Sequence, residues 1–217
     1  MKPHCTFFST GTTGINVFYT PDLDGGGSWF GQEYIEIIKK RYPARKFQHC
    51  LEWCSGPGFI GYSLLDHEIC DTLGLMDVHA PAIEWAEETA NHVPNRCRER
   101  VSTWTTGDIS AIPASEKFDL VVANPPHFPF GVGDANSNRI NADDGWKIHE
   151  NFFTHIGQYL ADDGIILLQE NEAGSTIDTF RSMIESNGLK ITDRFNSPNH
   201  YTPNNFTRIY YLEIVRA

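Results

Sequence analysis

From about Phe47 onward, short apolar runs alternate with longer amphipathic ones. Phe47–Trp53 reads as a buried strand, Phe59–His67 as a short helix, and Thr72–Val78 as a second strand. Ala80–His92 reads as a helix, with Pro81 in the first turn, where the missing N–H is not needed. Val101–Thr105 and Phe118–Ala123 are the third and fourth strands. The latter, Phe-Asp-Leu-Val-Val-Ala, is apolar on both faces, as in parallel sheets. Trp146–Leu160 reads as a helix, Asp162-Asp163-Gly164 as a turn, Ile165–Gln169 as a buried strand, and Thr176–Ser186 as a helix closed by Asn187-Gly188. Lys190–Phe195 and Arg208–Val215 are two final strands.

This alternation implies βαβ units and a mostly parallel sheet with helices on both faces. The expected fold is α/β, a three-layer Rossmann-like sheet of seven mostly parallel strands with an antiparallel last strand. Residues 47–217 form the main domain, and residues 1–46 an extension packing on it. The 217 residues suit a single full-sized core. In such sheets the ligand site lies beyond the carboxyl ends of the strands, so the residues that follow each strand carry the functional information.

Glu52-Trp53-Cys54-Ser55-Gly56-Pro57-Gly58 follows the first strand and leads into a helix. Gly56 and Gly58 allow a tight turn and a close backbone approach to a ligand, and the helix start offers free amides. Asp77, about 20 residues beyond these glycines, is where a ribose-binding carboxylate sits in Rossmann-type sheets. The alternative reading is a helix-capping Asp. Val78 follows it. After the third strand, Asp108 can accept from an adenine amino group, and the backbone amide of Ile109 can donate to an adenine ring nitrogen.

The most specific signal follows the fourth strand: Asn124-Pro125-Pro126-His127-Phe128. The two prolines stiffen the backbone. They fix the Asn124 side-chain oxygen and the Pro125 carbonyl as two acceptors, which suits a substrate –NH₂ whose lone pair must stay available.

With that motif the chain resembles the class I methyltransferases that use S-adenosylmethionine (SAM) to methylate amino nitrogens, a group with Asn, Asp or Ser followed by Pro-Pro and an aromatic. The group includes adenine-N6 and guanine-N2 enzymes and the release-factor glutamine-N5 enzymes. The resemblance implies SAM as the cofactor, with Glu52, Cys54, Gly56 and Gly58 at its methionine end, Asp77 and Val78 at the ribose, and Asp108 and Ile109 at the adenine. Asn124 touches both cofactor and amine. Asn124, Pro125 and His127 are the implied catalytic residues, and Pro126, His127 and Phe128 contact the substrate. The chain departs from the family pattern twice: Cys54 takes the first glycine position, and His127 stands where Tyr, Phe or Trp is usual. A histidine stacks more weakly, hydrogen-bonds, and titrates near neutral pH; Phe128 can supply the ring in its place.

Composition narrows the acceptor. A net charge of −11 argues against a free-standing nucleic-acid binder. Two basic clusters, Lys39-Lys40-Arg41 with Arg45 and Lys46, and Arg96, Arg98 and Arg100, read as solvated faces. The first-ranked acceptor is therefore a protein side-chain amide or amine. An RNA or DNA base comes next, with room for a partner subunit to supply basic surface, and a small-molecule amine comes third. A SAM-binding scaffold is the non-enzymatic alternative. Five scattered cysteines, Cys5, Cys50, Cys54, Cys70 and Cys97, read as reduced thiols of a cytoplasmic protein, and no metal site or membrane segment is expected. Two irregular stretches, Gly11–Gly31 and Phe128–Asp144, are candidate lids, and Asn199–Pro203 is expected near the rim.

Overall fold

The computed structural model describes residues 5–11, 14–93, 99–131, 134–198 and 208–217. Cys97, Arg96, Arg98 and the stretch Asn199–Pro203 lie outside the described residues. The chain forms two compact units, Met1–Gly107 and Asp108–Ala217.

In the first unit, β1 (Thr6–Ser9) and β2 (Asn16–Tyr19) pair as an antiparallel hairpin. Helix α1 covers Glu33–Arg41 and places Lys39, Lys40 and Arg41 in its last turn, where the helix dipole favours positive charge. Then β3 (Phe47–Trp53), α2 (Phe59–Asp66), β4 (Cys70–Asp77), α3 (Ala80–His92) and β5 (Val101–Thr105) form two overlapping βαβ repeats. β4 runs parallel to both β3 and β5. Leu73, Leu75 and Tyr62 are fully buried between β4 and α2, and Leu51 is buried on the other face of the sheet. The hairpin is anchored by its buried Ile15 and Val17 and by a bond from the Phe18 amide to Thr89 Oγ1 at 2.9 Å.

The second unit contains β6 (Phe118–Ala123), α4 (Ala135–Asn141), α5 (Lys147–Tyr159), β7 (Leu160–Asn171), α6 (Ile177–Glu185), β8 (Leu189–Asn196) and β9 (Ile209–Arg216). β6 and β7 are parallel, while β9 runs antiparallel to β7 and β8. Phe152, Phe153 and Phe180 are buried over the apolar centre of β7, Ile166 to Leu168. The strand order is β5-β4-β3-β6-β7-β9-β8, a seven-stranded, mostly parallel α/β sheet.

The periodicity located β3, α3, β5 and β6 to the residue. The hairpin and α1 escaped it because four-residue strands and a nine-residue helix carry too little period. The Asp162-Asp163-Gly164 turn lies inside β7. The register with β6 jumps there, from Phe118↔Leu160 to Leu120↔Ile165. Three extra residues bulge outward, exposing both aspartates.

Candidate functional site

The first unit builds a backbone cradle after β3. Glu52, at the buried end of that strand, accepts from the amides of Ile60 at 3.3 Å and Gly61 at 2.7 Å, the first turn of α2. A Cβ on Gly61 would stand 2.8 Å from Glu52 Oε2 and 2.6 Å from a Leu73 methyl, so only glycine admits the carboxylate there. Burial pushes the Glu52 carboxyl up to about 8; the two amide bonds oppose this, and the nearby Asp77 charge adds to it.

The connecting loop turns through positive φ at Cys54 (54°), Gly56 (52°) and Gly58 (91°). Gly58 also abuts Tyr62, 2.8 Å from where a Cβ would be. Asp77 locks this loop: its Oδ2 accepts from the Gly56 amide at 2.7 Å and its Oδ1 from the His79 amide at 2.8 Å. Asp77 thus acts as a capping residue for this loop. Val78 beside it is 67% exposed. Glu52, Cys54, Gly56, Gly58, Asp77 and Val78 thus lie on one turn and the strand ends that flank it, held together by backbone amides bonded to the two carboxylates.

In the second unit, Asp108 caps a short 3-10 turn. It accepts from the amide and hydroxyl of Ser110, which hold its carboxyl below the usual range. Ile109 is buried, and its amide donates to Asn151 Oδ1 over a long 3.4 Å.

Asn124 to Phe128 leave the end of β6, with Pro125 and Pro126 buried and Asn124, His127 and Phe128 half-buried. Two clamps fix this segment. The Phe128 amide donates to the Asn141 carbonyl at 2.9 Å, and the Asp143 amide donates to the Phe128 carbonyl at 2.7 Å. On the other side Gly174 approaches so closely that a Cβ there would stand 1.9 Å from the His127 carbonyl oxygen. The sequence offered no sign of this beyond a glycine after β7.

The spacing also missed a buried polar chain. His149 in α5 contacts Asp143 Oδ2 through Nδ1 at 2.7 Å and Glu170 Oε1 through Nε2 at 2.9 Å, and all three side chains are fully buried. Burial pulls His149 down, but the Glu170 charge and the bonds to Asp143 and Glu170 prevail and raise it from 6.5 to about 9. Burial likewise pushes Glu170 and Asp143 up, and their bonds to His149 overcome it and hold both below the ordinary range.

The acids of the two candidate lids are engaged within the chain. Asp24 accepts from the Gly26 and Ser28 amides, Asp134 from the Ser137 amide, and Asp144 pairs with Lys147. Asp143 is buried against His149. In the basic stretch, Lys46 pairs with Asp71, and Arg45 lies over the Phe47 ring. Among the described residues no helix is long and apolar enough to cross a membrane.

Residues 12–188 match the methyltransferase small domain family. A curated relative, the tRNA1(Val) (adenine(37)-N6)-methyltransferase of Glaesserella parasuis, is 27% identical over 119 residues, 55% of this chain and 49% of the relative. The chain thus matches about half the length of that relative. Among solved structures, the glycopeptide N-methyltransferase MtfA bound to SAM superposes with a TM-score of 0.63 at 13% identity, over 86% of this chain and 94% of MtfA. The ribosomal protein L11 methylase of Lactobacillus delbrueckii subsp. bulgaricus does so at 0.59 and 16%, over 87% and 79%. These two likenesses carry the fold. With more than half its length matched by the family model, the chain belongs to the methyltransferase small domain family.

Proposed function

We propose that this enzyme methylates an exocyclic amino nitrogen of a nucleobase, with adenine N6 in RNA as the leading acceptor. The observation that carries the nitrogen assignment is the Asn124-Pro125-Pro126 segment at the end of β6, rigid, half-buried and clamped on both sides. Two fixed acceptors suit the two hydrogens of a planar –NH₂ and stabilise the positive charge that develops on its nitrogen. Glu52, Gly56, Gly58, Asp77 and Val78 would hold the methionine and ribose of SAM, and Asp108 and Ile109 its adenine. SAM supplies an electrophilic methyl group; most of the rate enhancement comes from positioning.

The acceptor ranking changes from that of the sequence. The relative named for tRNA adenine N6 supports a base, while the −11 net charge keeps a protein side-chain amide or amine as the second reading. Incubating the protein with methyl-labelled SAM and separate RNA and protein fractions distinguishes them. Label released by nuclease supports the base. Label released by protease overturns it in favour of the side chain.

A further inference from the structure

Behind the amine motif lies a set of ionisable groups that methyl transfer by positioning alone does not require. β7 ends in Gln169, Glu170 and Asn171, all buried. A buried carboxylate persists only where donors surround it. Glu170 Oε1 accepts from His149, and Oε2 accepts from Ser175 Oγ at 3.2 Å. The remaining approach to Oε2 is taken by Nδ1 of His127, at 3.6 Å. That distance is a charge contact just beyond ordinary hydrogen-bond length, and buried Nδ1 has no other hydrogen-bond partner.

The charges decide what this contact means. His149 bridges Asp143 and Glu170 with both ring nitrogens, so it is a doubly donating imidazolium between two carboxylates. Two carboxylates against one imidazolium leave one net negative charge, and Glu170 presents its Oε2 to His127. The other neighbours do not cancel it. Ser175 Oγ is also within 2.9 Å of the Tyr210 hydroxyl from β9, and Arg194 of β8 stacks over the Tyr210 ring while paired with Glu172. Both nitrogens of His149 are engaged, and among the described residues no group of His, Cys, Asp and Glu is arranged to hold a metal ion.

We propose that His127 is the proton acceptor for the nitrogen being methylated, held in a single tautomer by Glu170, which the buried His149–Asp143 pair fixes in turn. The proposal rests on the amino-nitrogen reading above. A carboxylate opposite Nδ1 is matched only if Nδ1 carries the proton, so the neutral ring keeps its lone pair on Nε2. Nδ1 is buried while 13% of the side chain remains exposed, an exposure that on this proposal belongs to Nε2, facing the acceptor amine. In the step, the substrate nitrogen lone pair forms the N–C bond, and the methyl–sulfonium bond breaks with its pair passing to sulfur. The proton leaves the nitrogen for His127 Nε2 and then passes to water. A phenylalanine here would stack on a planar base and accept nothing. His127 is then a catalytic residue and Glu170 a positioning residue.

Two measurements on the full chain test this. Nitrogen-15 NMR of the neutral His127 ring, assigned by its loss in His127→Phe, is expected to show the Nδ1–H tautomer, and Glu170→Gln should shift it toward Nε2–H. In single turnover with methyl-labelled SAM and RNA, followed across pH, His127→Phe should be about 10²- to 10⁴-fold slower than wild type and should differ from it in pH profile. A wild-type ring protonated on Nε2, or His127→Phe within threefold of wild type with the same pH profile, overturns the proposal while leaving amino methylation standing. A wild-type protein that transfers no methyl group overturns both. The wild-type tautomer decides the positioning role even if Glu170→Gln fails to fold.

Discussion

The turn after β3 and the turn after β6 both follow a parallel strand, yet they are built from different materials. The first is made of backbone: Glu52 and Asp77 accept from main-chain amides, and three residues in a row of five adopt positive φ to present them. The second is stiffened by two prolines and backed by side chains drawn from α5, β7, the turn after β7 and β9: His149, Glu170, Ser175 and Tyr210. In the proposed reading the backbone cradle holds SAM. A side-chain backing can be changed one residue at a time, and it is here, at His127, that this chain departs from the aromatic pattern.

Substitutions can break this contrast in order of expected effect. Asn124→Ala removes one of two acceptors for the amine and should slow single-turnover transfer about 10²- to 10³-fold while SAM affinity, read by calorimetry, stays within a few-fold. Equal losses in both would place Asn124 in the cofactor cradle instead. Gly174→Ala forces a Cβ against the His127 carbonyl. Since backbone must move, about a tenfold to hundredfold loss of turnover is expected, again with SAM affinity near wild type. An unchanged rate would show that the motif tolerates displacement.

His149→Gln leaves Asp143 and Glu170 buried without their cation, a loss of about 3–5 kcal/mol. Tm should drop by roughly 10 °C at pH 6. The same group sets a pH signature. Folded His149 sits at about 9 against an ordinary 6.5, so its contribution is full below pH 6.5 and is lost as pH rises through 9. Glu52, raised from 4.5 to about 8, loses stability in the same direction between those values. Melting curves should therefore fall steadily from pH 5 to 9. His149→Gln should flatten the upper part of that fall, and Glu52→Gln the lower. A Tm that rises with pH would contradict both assignments. The smallest effect is at Cys54, which holds φ at 54° where glycine is at ease. Cys54→Gly should raise stability by at most about 1 kcal/mol, since relief of strain is offset by a floppier unfolded chain. A destabilised variant would mean that the thiol contacts outweigh the strain.

The same contrast explains what the sequence revealed. Glycines at 56 and 58, Asp77 and the Asn-Pro-Pro run are local patterns, and a backbone cradle is specified by local conformation. The Asp143–His149–Glu170 chain joins positions 6 and 21 residues apart through tertiary packing, and no periodicity marks it. Asp134 and Asp144 are exposed acids, whereas Asp143 is buried against His149. Gly174 was silent for the same reason: its requirement is the carbonyl of His127, which sequence spacing cannot place beside it. The Asp162–Gly164 turn was legible as a turn, though not as a bulge within one continuous strand.

The central claim is that the methyl group goes to an amino nitrogen. Its most direct test is to digest the labelled acceptor to monomers and locate the methyl group by mass spectrometry. The account predicts label on an exocyclic nitrogen, with N6-methyladenosine the expected product from RNA. Label on a carbon, an oxygen or a ring nitrogen would contradict it.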